Sequence, residues 1–189
     1  MSKIYTILLC CGIILISSCE STTAPAETTK AQVSASEGKI EAKLKELGVT
    51  LPEASTPVAN YVNAVTTGNL VFLAGKGPKK EDGTYITGKV GRDLTEEEGY
   101  QAARLVGLNQ LAALKAEIGD LDRVKRIVKV LGMVNATPDF ANQPEVVNGF
   151  SDFMVEVFGD KGKHARAAVG MGSLPRNICV EIEMIVEIE

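Results

Sequence analysis

Two charged side chains near the C-terminus are of the right types to act together on a small molecule. Arg166 opens the run "ARAAVGMGSLP", and Glu181 follows in "NICVEIEMIVEIE". A guanidinium presents a planar fork of donors that fits a carboxylate bidentately, which an ammonium does not. A glutamate beside a bound electrophile can accept the proton of an attacking water, and holding both reactants lowers the barrier by orientation alone. Such chemistry needs no covalent nucleophile, and no Ser-His or Cys-His pair is recognisable. The single histidine, His164, reads as a loop residue just ahead of Arg166. Cys179 reads as a small residue at the core edge rather than a nucleophile. With one histidine and no Cys/His cluster, neither a metal nor another cofactor is indicated.

Whether Arg166 and Glu181 meet depends on the elements that carry them. "EGKIEAKLKELGV" spaces Ile40, Leu44 and Leu47 at helical intervals and ends at Gly48. "NYVNAVTTGNLVFLAGKGP" reads as two strands around a "TTGN" turn, and "GTYITGKVG" as a third short strand. "LTEEEGYQAARLVGLNQLAALKAEIGD" is the clearest helix, with a Thr95/Glu98 capping box and a stripe of Leu108, Leu111, Leu114 and Ile118. "RVKRIVKVLGMVNA" predicts a strand, with Val124, Val128 and Val130 among its apolar members. "PEVVNGFSDFMVEVFGD" predicts a helix opened by Pro144, with Val147, Phe150, Met154 and Val157 on one side.

"ARAAVGMGSL" and the C-terminal run close the chain as strands. In the last, Ile178, Val180, Ile182, Met184, Val186 and Ile188 alternate with Cys179, Glu181, Glu183, Ile185, Glu187 and Glu189. Period two places the first set under the helices and Glu181 on the opposite face. Glu187 and Glu189 belong to a solvated face, whereas Glu181 is expected to be partly buried against another subunit. The order β-β-β-α-β-α-β-β predicts an α+β fold, a mixed sheet with two helices on one face.

The chain has 189 residues and a net charge of −4. That acidic balance argues against a nucleic-acid partner, which requires a basic face. Arg123, Lys125, Arg126 and Lys129 read instead as the wet face of a strand. The N-terminus is separate in character. Residues 1–18 carry Lys3 and an uncharged run from Ile4 to Ile16, too short for a comfortable span and matching a signal-peptide core. "ISSC" resembles the bacterial lipobox, which implies lipidation of Cys19 and a membrane anchor on the periplasmic side of the cell envelope. Residues 19–36, rich in Ser, Thr, Ala and Pro, are expected to form a flexible tether. The folded domain is then 37–189.

From about Tyr61 onward, "YVNAVTTGNLVFLAGKGP", "VKRIVKVLGMV", "VVNGFSDFM" and above all "ARAAVGMGSLPRNICVEIE" resemble the Rid family (reactive intermediate deaminases, also called YjgF or L-PSP endoribonucleases). The first helix and "GVTLPEASTPVANYV" look like its chorismate-mutase-like subgroup. The resemblance implies a homotrimer with a central barrel and three sites in clefts between subunits. It implies that Arg166 holds a substrate carboxylate and that Glu181 positions the water hydrolysing an imine. Tyr61, at the start of the first strand, Asn148, in the later helix, and Gly75 fall on positions lining that cleft. Two departures stand out: Ala74-Gly75-Lys76 replaces the usual "SGQ", and Ala168 replaces a common cysteine. Two small polar groups are lost while Lys76 adds a cation.

The expected function is hydrolytic deamination of small enamine or imine carboxylates such as 2-aminoacrylate. The alternative is a non-catalytic, envelope-tethered trimer that binds a small carboxylate. Endoribonuclease activity is opposed by charge and by the lack of an aromatic-basic platform. Chorismate mutase activity calls for more cations than Arg166 and Lys76 supply.

Overall fold

The computed structural model describes residues 38–189. The signal peptide, the lipidated Cys19 and the tether read from the sequence lie outside these residues. Among the described residues no helix is long and apolar enough to cross a membrane.

α1 (Lys39–Glu46) has no side-chain cap of its own. Its first amides, of Lys39 and Ile40, instead donate to the distant Asp122 carboxylate, each at 2.8 Å. One acidic group thereby satisfies two of the amides that every helix start leaves open and ties α1 to the 3-10 turn Leu121–Arg123. β1 (Ala64–Thr67) and β2 (Leu70–Lys76) pair antiparallel around Gly68-Asn69. The turn works because Gly68 takes a positive φ of 58°. α2 (Glu96–Ile118) starts at the expected capping box, with both reciprocal Thr95–Glu98 bonds present. Three glutamates in its first turn complement the helix dipole. Leu111, Leu114 and Ile118 are buried, as are Ala102, Ala103 and Val106, so the stripe is wider than the leucines alone suggest; Leu108 is only partly buried against it.

β3 (Val124–Asn135) and α3 (Gln143–Phe158) follow, then β4 (Ala165–Met171) and β5 (Val180–Ile188). The sheet order is β1-β2-β5-β3-β4, antiparallel except for β3 and β4, whose parallel pairing is bridged by α3. Both long helices lie on one face. They approach closely where Gly149 sits directly against the Tyr100 carbonyl, a position with no room for a Cβ. The α+β architecture is therefore the expected one.

Three details differ from the sequence reading. "GTYITGKVG" is not a strand: it makes isolated bridges, Lys79 to Tyr85, Thr87 to Ile178 and Val90 to Ala136. Gly83, Gly88 and Gly91 all have positive φ and break the extended run. The order is thus β-β-α-β-α-β-β after α1. In β3, register shifts at Val124/Arg126 and Ile127/Lys129 reset the alternation. Val124, Ile127 and Val130 face the core while Val128 is half-buried, and Lys125 and Arg126 are both exposed. Finally, Cys179 is fully buried. The chain there is still leaving a tight 3-10 turn, and the in-out alternation starts only at Val180.

The face away from the helices stays open. Val65 pairs with Phe72 and Phe72 with Ile185, and Val65, Phe72 and Val169 are 55%, 41% and 39% exposed. A cavity of about 260 Å³ lies on this face, lined by Phe72, Leu131, Glu183 and Ile185 among others.

Candidate functional site

Arg166 and Glu181 do not meet within one chain. Arg166 pairs with Val130, and Glu181 with Met133 three positions along β3. β3 lies between β4 and β5, so the two residues sit about 10 Å apart across the sheet and about 10 Å apart along it. Their side chains also leave opposite faces. Val130 is buried under the helices, and Arg166 shares that side; Glu181 alternates with buried Val180 and Ile182 and points away from it. The candidate residues divide into two clusters.

The first cluster centres on Arg166. Its Nη1 donates to Asn148 Oδ1 at 2.9 Å and to Ser151 Oγ at 3.0 Å. Asn148 and Ser151 are one turn apart on α3 and so share a face. Ser151 Oγ lies 3.1 Å from His164 Nε2, and His164 Nδ1 lies 2.7 Å from the Gly162 carbonyl. A carbonyl can only accept, so Nδ1 carries the proton and donates to it. Nε2 then accepts from the Ser151 hydroxyl, and the Ser151 oxygen accepts from Arg166. Every donor in the chain from arginine to carbonyl has an acceptor. Burial holds the His164 pKa below its ordinary value; the Gly162 carbonyl opposes the shift and the Arg166 charge adds to it. The neutral ring that the geometry requires is therefore also the favoured form.

His164 is the loop residue expected, but the reading that no Ser-His pair exists is corrected: Ser151 and His164 form one, and it serves to orient a guanidinium. Arg166 makes no ion pair among the described residues, so a half-buried cation, held in place, keeps its remaining donors for a ligand.

The second cluster forms a cleft of about 320 Å³ whose lining includes Tyr61, Gly75, Lys76, Arg176 and Glu181. Tyr61 stands in the bend ahead of β1 rather than in that strand, and is 49% exposed. Gly75 is glycine for a definite reason. A Cβ there would overlap the Glu181 carboxylate, with Glu181 Cδ at 3.0 Å and Cγ at 3.1 Å. The β2–β5 register breaks between Leu73 and Lys76 to allow this approach. Gln110, fully buried on α2, spans the break: its amide donates to the Ala74 carbonyl at 3.0 Å and to the Ile182 carbonyl at 2.6 Å. Those two carbonyls flank the Gly75 and Glu181 positions, so Gln110 fixes the local backbone.

Electrostatics in this cleft favour loss of charge. Burial, reinforced by Glu183, raises the Glu181 pKa. Burial, reinforced by Lys79, lowers that of Lys76. Lys76 donates to Asn63 Oδ1, and Asn63 in turn donates to the Ser55 carbonyl at 2.7 Å. Cys179 lies near this end of β5, but burial pushes its thiol up to about 11, which removes it as a nucleophile. Among the described residues no group of His, Cys, Asp and Glu could hold a metal ion.

Sequence reasoning missed Ser151 and Gln110. The first could have been read from its spacing to Asn148, one turn away. The second carries no local signal, since its partners lie on two strands remote in sequence.

Comparison with known proteins places the fold. The family described as "YjgF/chorismate_mutase-like, putative endoribonuclease" matches residues 41–188. Protein TCP17 of Trypanosoma cruzi is 43% identical over 152 residues, covering 80% of this chain and 95% of its own. The 2-iminobutanoate/2-iminopropanoate deaminase of Dermatophagoides farinae is 30% identical over 142 residues, covering 75% and 95%. The crystal structure of Atu1372 from Agrobacterium tumefaciens, a protein of unknown function, superposes with a TM-score of 0.73 at 46% identity, covering 79% and 94%. A match to the family over nearly all of the described fold, joined to the Arg166 and Glu181 clusters, makes this chain a member of the YjgF/chorismate-mutase-like family.

Proposed function

We propose that the chain hydrolyses small imine carboxylates at sites completed between subunits of a homotrimer, with the Arg166 cluster of one copy facing the Glu181 cleft of the next. The observation that carries this reading is the Arg166 guanidinium, oriented by Asn148 and Ser151 and without a counter-ion among the described residues. The open sheet face, with Val65, Phe72 and Val169 exposed, supports assembly through that face. The similarity to a 2-iminobutanoate/2-iminopropanoate deaminase supports the reaction class.

In this mechanism 2-aminoacrylate first tautomerises to 2-iminopropanoate. Arg166 grips the carboxylate bidentately. Glu181 takes a proton from water as the oxygen adds to the imine carbon and delivers it to the nitrogen. The hydroxyl proton of the resulting carbinolamine then passes to the nitrogen by way of Glu181 as the carbonyl forms, the C–N bond breaks and ammonia departs. The products are a 2-oxo acid and ammonia, so water is the only co-reactant. The raised pKa of Glu181 brings the carboxylate closer to the range in which a general base works best.

A lyase releasing 2-aminoacrylate from serine supplies the substrate, and semicarbazide traps whatever is not hydrolysed. The protein should lower the semicarbazone yield, and Arg166→Ala and Glu181→Gln should abolish the effect. Equal yields with wild type, both variants and buffer would exclude the reaction.

A second reading is favoured by Ala74 and Ala168, where two small polar groups are absent: capture of a carboxylate without turnover. It expects stabilisation of the wild type by 2-oxo acids that Arg166→Ala loses, and no consumption of imine. Anchoring through Cys19 belongs to the proposal too, and radiolabelled palmitate incorporated by wild type but not by Cys19→Ser tests it.

A further inference from the structure

The cleft that holds Glu181 is also lined by three cations for which a simple imine carboxylate has no use. Lys76 and Lys79 are half-buried, Arg176 is exposed, and all three line the same cleft as Glu181. None of the three makes an ion pair among the described residues, and the Lys76 ammonium donates to a neutral amide, that of Asn63. Three positive groups face one carboxylate, in a cleft that has already withdrawn Lys76 from water. A desolvated cation without a counter-charge is unfavourable unless a ligand supplies the charge.

The backbone at Arg176 adds to the argument. Arg176 and Asn177 both adopt left-handed conformations, with φ of 55° and 57°. Asparagine tolerates this region; a long side chain does so at some cost. The turn is over-determined by its neighbours. The Asn177 amide donates to the Leu174 carbonyl, the Ile178 amide to the Pro175 carbonyl, and the Gly88 amide to the Asn177 carbonyl. Asn135, fully buried, holds the Asn177 side chain at 3.1 Å. This strain sets the guanidinium-bearing residue at the rim of the cleft rather than along the strand.

We propose that the cleft beside Glu181 binds the second carboxylate of a dicarboxylic imino acid, with Lys76 as its inner contact and Lys79 and Arg176 nearer the rim. The inference deepens the reading above and rests on it: Arg166 takes the carboxylate next to the imine, and the three cations take the distal one. Hydrolysis is unchanged, with water added and ammonia released to leave a 2-oxo dicarboxylate. The Lys76 position is where this chain carries a cation in "AGK", and the proposal gives that cation a role.

Titration calorimetry at fixed ionic strength, with stable product-like acids, separates the outcomes. 2-Oxobutyrate carries one carboxylate, 2-oxoglutarate two, and 2-oxo-4-phosphonobutyrate a phosphonate in place of the second. Wild type should bind 2-oxoglutarate about tenfold more tightly than 2-oxobutyrate, the gain expected of a charge-assisted contact. Lys76→Gln keeps a donor for Asn63 and should reduce that ratio to about two or less, while Arg176→Gln, at an exposed position, should reduce it by a smaller factor. Arg166→Ala should weaken both acids. Equal binding of the two acids by wild type, with both still dependent on Arg166, overturns this proposal and leaves the imine site standing. The same holds if Lys76→Gln weakens both acids equally. Preference for the phosphonate over 2-oxoglutarate overturns the assignment of a carboxylate. Indifference of both acids to Arg166→Ala removes the underlying reading as well.

Discussion

Replacing Gly75 by alanine isolates the position of one carboxylate from the stability of the fold. The added methyl occupies the space of the Glu181 carboxylate, and it also presses on Glu181 Cδ at 3.0 Å and Cγ at 3.1 Å. The obstructing atoms are the flexible end of a side chain that borders an open cleft of about 320 Å³. They can retreat by roughly 1 Å without disturbing buried neighbours, so the overpacking penalty should stay under about 1 kcal/mol. Gly75 has no positive φ, and alanine there restricts the unfolded chain, which offsets part of even that penalty. Catalysis is less forgiving, because a misplacement of about 1 Å can lower turnover about 100-fold. Urea unfolding and the semicarbazide assay, run on the same preparation, should therefore disagree: an unchanged midpoint with turnover down by about two orders of magnitude. Glu181→Gln sets the floor for comparison. Turnover within threefold of wild type would refute the claim that the present position of Glu181 serves the reaction. Activity falling only in step with the folded fraction would refute it equally.

Four further outcomes follow from contacts described above. Ser151→Ala removes one of the two bonds holding Arg166 and the donor to His164; it should raise KM several-fold, about 1 kcal/mol, with little change in kcat, and a fall in kcat alone would contradict it. The lowered His164 pKa means that the unfolded chain takes up a proton first, so its contribution to stability is present above about pH 6.5 and is lost as pH falls below that value; urea midpoints of wild type should drop across that window more steeply than those of a His164→Asn variant, and parallel curves would exclude the link. Gln110→Leu leaves the Ala74 and Ile182 carbonyls without their side-chain donor and should destabilise by about 1–3 kcal/mol, whereas an unchanged midpoint would show that Gln110 is dispensable. Phe72→Glu puts a charge on the open sheet face opposite Ile185 and, if the proposed trimer assembles through that face, should shift light-scattering mass toward monomer; a trimer mass unchanged by the substitution would place the interface elsewhere.

Legibility in the sequence followed the range of each interaction. α2 was readable because its determinants are local: Thr95 and Glu98 lie one turn apart and both capping bonds form. β5 was readable from Val180 on because one face is buried and the other is not, which imposes period two. The same rule failed at Cys179, where left-handed Arg176 and Asn177 delay the strand. It failed again in β3, where two register shifts each displace the alternation. Extended-looking composition misled at "GTYITGKVG", because glycines with positive φ left only single bridges. At the site, Arg166, Asn148, Gly75 and Glu181 were identifiable as residues, but their division between two faces was not. That division depends on the order β5-β3-β4, which no stretch of sequence encodes by itself.

The division has a consequence for how such a site can work. Each cluster is finished on its own terms: Arg166 is braced by α3, and Glu181 is seated against Gly75 with Gln110 holding the backbone behind it. Each also bears a group that burial has shifted toward its neutral form, His164 in one and Glu181 and Lys76 in the other. A carboxylate near Arg166 would answer a charge that no side chain among the described residues answers, and a ligand near Lys76 would do the same in the cleft of Glu181. Neither cluster needs the other in order to fold, but a ligand reaching both must span two faces that a single sheet keeps apart. Binding and assembly are then coupled by geometry, and the loss of either cluster should weaken the ligand without unfolding the chain that lost it.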